Sequence, residues 1–398
     1  MGSYFGISTI LVLCLLGYSA NAEVFRVPGA PGSDITQALL KAFTSACQAP
    51  APSQVLIPKG EYKLGEIAMT GPCKSPVEIT LQGTVKADGN MQGKERWVVF
   101  EKINGFKLNG GGIFDGEGNA AWRTNNCHKT FECKKLPISL RFDFVDNADI
   151  RDITSMDSKN FHINVISGKN MTFDNIKISA PAESPNTDGI HLGRCDGVKI
   201  LNSKIATGDD CISVGDGMKN LLVEKVVCGP GHGISVGSLG RYGFEEDVAG
   251  VRVVNCTLVG TDNGLRIKTW PSAKCTTTAS GIHFEDIILQ NVSNPILIDQ
   301  EYCPWNQCNK QKPSTIKLVD ISFRKIRGTS GNKDAVKLLC SKGIPCENVE
   351  IGDINIEYKG ADGPPTFQCS NVNPKLVGTQ VPKACSGGSA VMAPGSSS

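Results

Sequence analysis

Neither sign of charge is in excess in this sequence. Its 41 Lys and Arg stand against 39 Asp and Glu, leaving a formal charge of +2. That balance excludes the basic footprint of a nucleic-acid partner, so any anionic ligand must be met by local placement of Arg and Lys. After residue 22 no apolar run is long enough to cross a bilayer, which takes about 20 residues. No CxxC pair occurs among the 16 cysteines, which removes the commonest zinc spacing, and no metal or other cofactor is expected. Helical periodicity is also missing, apart from one segment near the start.

What is present points to a secretory route. The run "GISTILVLCLLGY" precedes Ala20-Asn21-Ala22, and residues 1–22 read as a cleaved signal peptide whose positive end is the amino terminus alone. Cys14 leaves with that leader, and the 15 cysteines that remain are odd in number, so at least one is unpaired or bridges chains. Cys127 and Cys133, Cys303 and Cys308, Cys340 and Cys346, and Cys369 and Cys385 are close in sequence and read as small disulfide loops of an oxidising compartment. Sequons at Asn170, Asn255 and Asn291 fit the same route. The mature chain is expected to be extracellular, monomeric and free of the membrane.

A short step recurs along the chain. It reads "IRDITS" from Ile150, "FDNIKI" from Phe173, "ILNSKI" from Ile200, "VEKVVC" from Val223, "VVNCTL" from Val253, "FEDIIL" from Phe284 and "LVDISF" from Leu318, with starts 23 to 34 residues apart. Each step is followed by a second strand-like run, such as "GIHLG", "CISVG" or "GISVG", and Gly, Asn, Asp and Ser fill the gaps. A repeat this short predicts an all-β fold, a single-stranded right-handed parallel β-helix over residues 23–385. A propeller blade would need longer antiparallel hairpins, and a leucine-rich horseshoe its regular leucine frame. The one helical segment, "SDITQALLKAFTSAC", with Ser33 or Asp34 as its cap, is placed over the N-terminal end of the solenoid. Residues 386–398, rich in Gly and Ser, are expected to be a disordered tail.

The repeat brings polar residues together. With Ile190, Ile212 and Ile234 aligned, Asp188, Asp210 and His232 occupy one place in three successive coils, and neighbouring parallel strands lie about 4.8 Å apart. The next coil adds Arg266 and Lys268, two apart and so on one side of a strand. A lone Asp in such a turn commonly caps backbone groups. Adjacent Asp209 and Asp210, with a third carboxylate one coil away, repel one another, and that crowding marks a functional site. His162, His191 and His283 lie inside strand runs and read as structural, and Asp216 as a turn residue.

Four motifs in order, "NTDG" at 186–189, "GDD" at 208–210, "GHG" at 231–233 and "RIK" at 266–268, resemble the signature of polygalacturonases, glycoside hydrolase family 28. Longer stretches such as "ILNSKIATGDDCISVGDG" are most similar to the plant pollen exopolygalacturonase group. The opening "VFRVPGAPGSDITQALL" is shorter than in plant members and lacks their glycine-aspartate-rich turn, which leaves the N-terminal cap trimmed or remodelled. The resemblance implies a pectin-lyase-like solenoid that hydrolyses α-1,4 bonds of pectic acid with inversion. It casts Asp209 as the general acid, Asp188 and Asp210 as the pair that activates water, and His232 as the group that sets the acid's protonation. Arg266 and Lys268 would hold a substrate carboxylate, Tyr302 would contact sugar, and Asn186 would orient the site. It also implies a Cys211–Cys228 disulfide.

The chemistry agrees on most points. A glycosidase needs one protonated and one ionised carboxyl, which crowding supplies, and an aromatic content of 6% suits a charged polymer. Coil stacking favours close carboxyls, however, which the general separation rule links to retention. Three rivals stand beside this reading: a calcium-dependent pectate lyase, a rhamnogalacturonan hydrolase, and a non-catalytic wall-binding β-helix. Exo or endo attack depends on loop heights that the motifs do not encode.

Overall fold

A run such as Ile190-His191-Leu192-Gly193 turns alternate residues inward, and one run has nothing to bury them against. The chain solves this by winding. In the computed structural model, which describes residues 23–88, 93–125, 135–385 and the backbone of 390–391, the named strands pair in parallel from coil to coil. The expectations for the leader, for Cys127 with Cys133 and for most of the tail fall outside those residues. The winding is a right-handed parallel β-helix. Among the described residues one sheet has 21 strands and a second has 11.

On the second sheet Ile163, Ile190, Ile212, Ile234, Leu265, Ile296 and Val336 stand in register. Each is at most 1% exposed, and withdrawing such a side chain from water contributes about 1.5–3 kcal/mol. Aromatic rings fill the wider places, with Phe100 and Phe142 stacked at 4.9 Å and Phe284 and Phe323 at 5.0 Å.

On the larger sheet Ile150, Phe173, Ile200, Val223, Val253 and Phe284 align as the repeat predicts. The seventh member is Phe323, not Leu318, which pairs with Ala279. The slip arises because Lys317–Ser330 is one long strand with buried apolar residues at Leu318, Ile321, Phe323 and Ile326, so more than one phase offers an inward apolar position. Two residues after each aligned position the backbone turns left-handed, at Asp152, Asn175, Asn202, Lys225, Asn255, Asp286 and Lys325, with φ from 47° to 56°. Asn and Asp tolerate that conformation best, which explains the recurring "RDI", "DNI" and "LNS". The sequon asparagines 170, 255 and 291 sit exposed at such turns.

The expected helix spans Thr36–Gln48 and packs Leu39, Phe43 and Ala46 against the first coils. Its cap position is Ile35, neither Ser33 nor Asp34. Ile35 is drawn into the core at 1% exposure, and Asp34 instead accepts from the Thr36 N–H at 2.8 Å. The short opening still forms a strand, Glu23–Arg26, paired with Ser53–Ile57.

Disulfides join Cys303 to Cys308, Cys340 to Cys346, Cys369 to Cys385 and Cys211 to Cys228, as anticipated. Cys47–Cys73 was not legible, since its partners are 26 residues apart and meet only through the helix packing. Among the described residues Cys195, Cys256 and Cys275 are free.

Candidate active site

Four consecutive strands of the second sheet supply the site: Ile190–Gly193, Ile212–Val214, Ile234–Leu239 and Asn263–Thr269. Asp188, Asp210 and His232 each stand two residues before an aligned isoleucine, and the backbone bonds Gly189 N–H to Asp210 O and His232 N–H to Asp209 O lock those turns together. A cleft of about 540 Å³ opens over them. Asn186, Asp188, Asp209, Asp210, His232, Arg266, Lys268 and Tyr302 all line it, so the structure brings together every residue singled out for catalysis or substrate binding.

Their depths differ from a simple surface column. Asp188 and Asp210 are 6% and 1% exposed, whereas the side chains of Asp209 and His232 keep 19% and 36%. Successive residues of an extended chain point to opposite sides. Asp210 therefore goes down into a polar nest, and Asp209 stays up and accepts from His232 Nδ1 at 2.9 Å.

Asp210 is fully engaged. Its Oδ1 accepts from Arg266 at 2.7 Å and from Ser235 Oγ at 2.9 Å, and its Oδ2 from Lys268 at 2.7 Å. Burial alone would raise its pKa; the two cations reverse that and hold it at about 2. Among the described residues no cation pairs with the Asp188 carboxylate, which accepts from Ser213 Oγ–H on Oδ2 at 2.7 Å. Burial first, then repulsion from Asp209 and Asp210, pushes its pKa well above the ordinary 3.8. The crowding expected to keep one carboxyl protonated therefore acts on Asp188. For His232 burial opposes the charge, yet the hydrogen bond and charge of Asp209 outweigh it and raise the pKa above 6.5.

Arg266 and Lys268 lie 6.0 and 5.3 Å from the Tyr302 ring, and that ring meets Trp270 edge-on at 5.6 Å. The oxygens of Asp209 and Asp210 and a nitrogen of His232 lie within 4.8 Å of one another, close enough to chelate a cation. Both Asp210 oxygens are already taken by Arg266, Lys268 and Ser235, however, and that donor set fits poorly the 6–8 free oxygens calcium prefers.

Sequence reasoning missed Ser213 and Ser235 and set His191 aside. The signal was there: the residue after the aligned apolar position is His191, Ser213, Ser235 and Arg266 in four successive coils, one outward column. It also missed the aromatic wall of Tyr242, Trp270 and Trp305, which comes from loops with no repeat.

A solenoid that gathers three carboxylates, an imidazole and two cations into one open cleft is by class a β-helical carbohydrate hydrolase. The chain belongs to the glycosyl hydrolases family 28, whose family model matches residues 47–385. It is 84% identical over 396 residues to a polygalacturonase of Brassica napus, covering 99% of this chain and 100% of that one. It is 52% identical over 360 residues to an exopolygalacturonase of Oenothera organensis, covering 90% and 99%. The crystal structure of an endo-xylogalacturonan hydrolase from Aspergillus tubingensis superposes with a TM-score of 0.76 at 22% identity, covering 94% and 100%, and shares the fold.

Proposed function

We propose that this chain is a secreted, monomeric polygalacturonase that hydrolyses α-1,4-galacturonosyl bonds of pectic polysaccharide in the plant cell wall, with inversion, releasing galacturonate from chain ends. The observation that carries this reading is the meeting of Asp188, Asp209 and Asp210 with Arg266 and Lys268 in one cleft. Such a set supplies acid–base chemistry beside cations for a sugar that bears a carboxylate. In this reading Asp209 protonates the leaving oxygen and draws the proton from His232, the imidazole bonded to it. Asp188 and Asp210 activate water. Inversion is favoured despite the close carboxyls, because both oxygens of Asp210 are held by neighbours and neither is free to form a glycosyl bond. Arg266 and Lys268, besides holding Asp210, line the sugar site with Tyr302 and Asn186. Glycans are proposed at Asn170, Asn255 and Asn291.

Exo attack is supported by the name of the Oenothera relative and by the loop aromatics Tyr242 and Trp305 beside the reacting groups. The test is digestion of polygalacturonic acid. Saturated reducing ends, indifference to chelator and galacturonate monomer as the sole early product are expected, and Asp209→Asn should bind substrate without turnover. Mixed early oligomers make the enzyme endo-acting. Unsaturated, ultraviolet-absorbing ends that vanish with chelator make it a lyase, and binding without new ends makes it a wall-binding protein.

A further inference from the structure

Asp188 and Asp210 are wired alike up to a point. Each accepts a hydrogen bond from the serine one coil on, Asp188 from Ser213 at 2.7 Å and Asp210 from Ser235 at 2.9 Å. Beyond the serine the two branches diverge. Ser235 Oγ receives Arg266 Nε–H at 2.9 Å, a group that keeps its protons. Ser213 Oγ lies 2.8 Å from Nδ1 of His191, a ring with two exchangeable positions. His191 is half-buried and lines the cleft, with Phe161 at 5.2 Å on one side. A Cβ at Gly215 would lie 3.4 Å from its Nε2, so glycine there leaves that nitrogen less crowded.

We propose that Ser213 and His191 form a proton relay between buried Asp188 and the cleft solvent, and so return Asp188 to its ionised, water-activating form after each turnover. This rests on the hydrolase reading above and extends it. The transfer balances with a neutral imidazole at both ends. Protonated Asp188 gives its proton to Ser213 Oγ, Ser213 gives its own to His191 Nδ1, and His191 releases the proton of Nε2 to solvent. Asp188 is left ionised and accepting from Ser213, with the ring carrying its proton on Nδ1, and proton exchange of the ring with cleft solvent restores the Nε2–H tautomer before the next turnover. The reverse sequence loads Asp188. Around the ring stand Lys268, Asp210, Arg141 and Asp216; burial first, with Lys268 and Arg141 against the opposing Asp210 and Asp216, lowers the His191 pKa to about 4, which favours the neutral ring this exchange uses. Asp210, fixed by Arg266 and Lys268, has no such outlet.

The test compares kcat against pH for wild type, Ser213→Ala, Ser213→Thr, His191→Gln and the Ser213→Ala/His191→Gln pair, on polygalacturonic acid, with melting curves as a check on folding. Loss of either relay member should lower kcat on the order of 100-fold, the lower end of the usual weight of a proton-transfer group. The double variant should lose no more than the worse single one, since the two act as a unit. Ser213→Thr should restore most of the rate. Small buffer bases such as imidazole should accelerate His191→Gln in proportion to concentration and leave wild type unchanged, an effect a packing role would not produce. Wild-type rates and pH profiles in both single variants, or losses that add fully without buffer rescue, overturn the relay. Absence of hydrolysis by wild type overturns the underlying reading instead.

Discussion

Asp188 and Asp210 are the same residue type at the same place in consecutive coils, yet their surroundings push their protons opposite ways. A carboxyl raised in the folded state adds stability at low pH and loses it as pH rises through its folded pKa; one that is lowered adds stability above its unfolded pKa and loses it as pH falls. Asp188 is of the first kind and Asp210 of the second. At pH 7 Asp188→Asn should therefore keep or raise the melting temperature while stopping turnover. Asp210→Asn, which strands Arg266 and Lys268 without their counter-ion, should lose about 3–5 kcal/mol. Thermal melts of both variants check the contrast, and equal destabilisation would count against it. The same directions shape the rate. Turnover should rise as Asp188 ionises, above pH 3.8, and fall as His232 loses its proton, above pH 6.5, giving a bell-shaped kcat profile. At this scale the sequence named the ionisable groups through their spacing. It did not reveal which carboxyl holds the proton, because that depends on burial and on the cations of a later coil.

Among the elements, the repeated strands were the most legible, since each coil must present an inward apolar residue and a left-handed turn at the same place. Legibility failed where one strand ran long enough to offer several phases, as at Leu318, and where a segment has no repeat, as in the loops beside the cleft. One such loop is the turn closed by Cys303–Cys308. It follows Tyr302 directly and carries Pro304 and Trp305 to the cleft wall. A ring this small adds only about 2 kcal/mol through chain entropy, so its larger contribution is to hold aromatic side chains in place. Cys303→Ser/Cys308→Ser should raise KM by about 2- to 10-fold, the equivalent of re-ordering one or two side chains on binding, with kcat changed less than KM. Steady-state kinetics on oligogalacturonates, beside a melting curve, separate that effect from general destabilisation.

For the molecule as a whole, a charge of +2 on 398 residues produces little long-range field. A polyanionic substrate must then be held by cations at the cleft, and much of that charge is already paired to Asp210. Raising ionic strength from about 0.05 to 0.5 M, which shortens screening from roughly 14 to 4 Å, should raise KM less than about tenfold and leave kcat nearly constant. A steeper dependence, measured in initial rates across a salt series, would point instead to an extended basic track along the cleft. The fold class was readable at this scale from interval and turn chemistry alone, whereas the shape of the cleft was not, because its walls are loops whose lengths obey no period.

The reacting groups come from four neighbouring coils, and each coil joins the next by the same parallel ladder. A coil duplicated or lost outside residues 188–268 would lengthen or shorten the trough without moving the bond-breaking atoms. Such an architecture lets lineages vary how much polymer is gripped while inheriting the cutting chemistry intact.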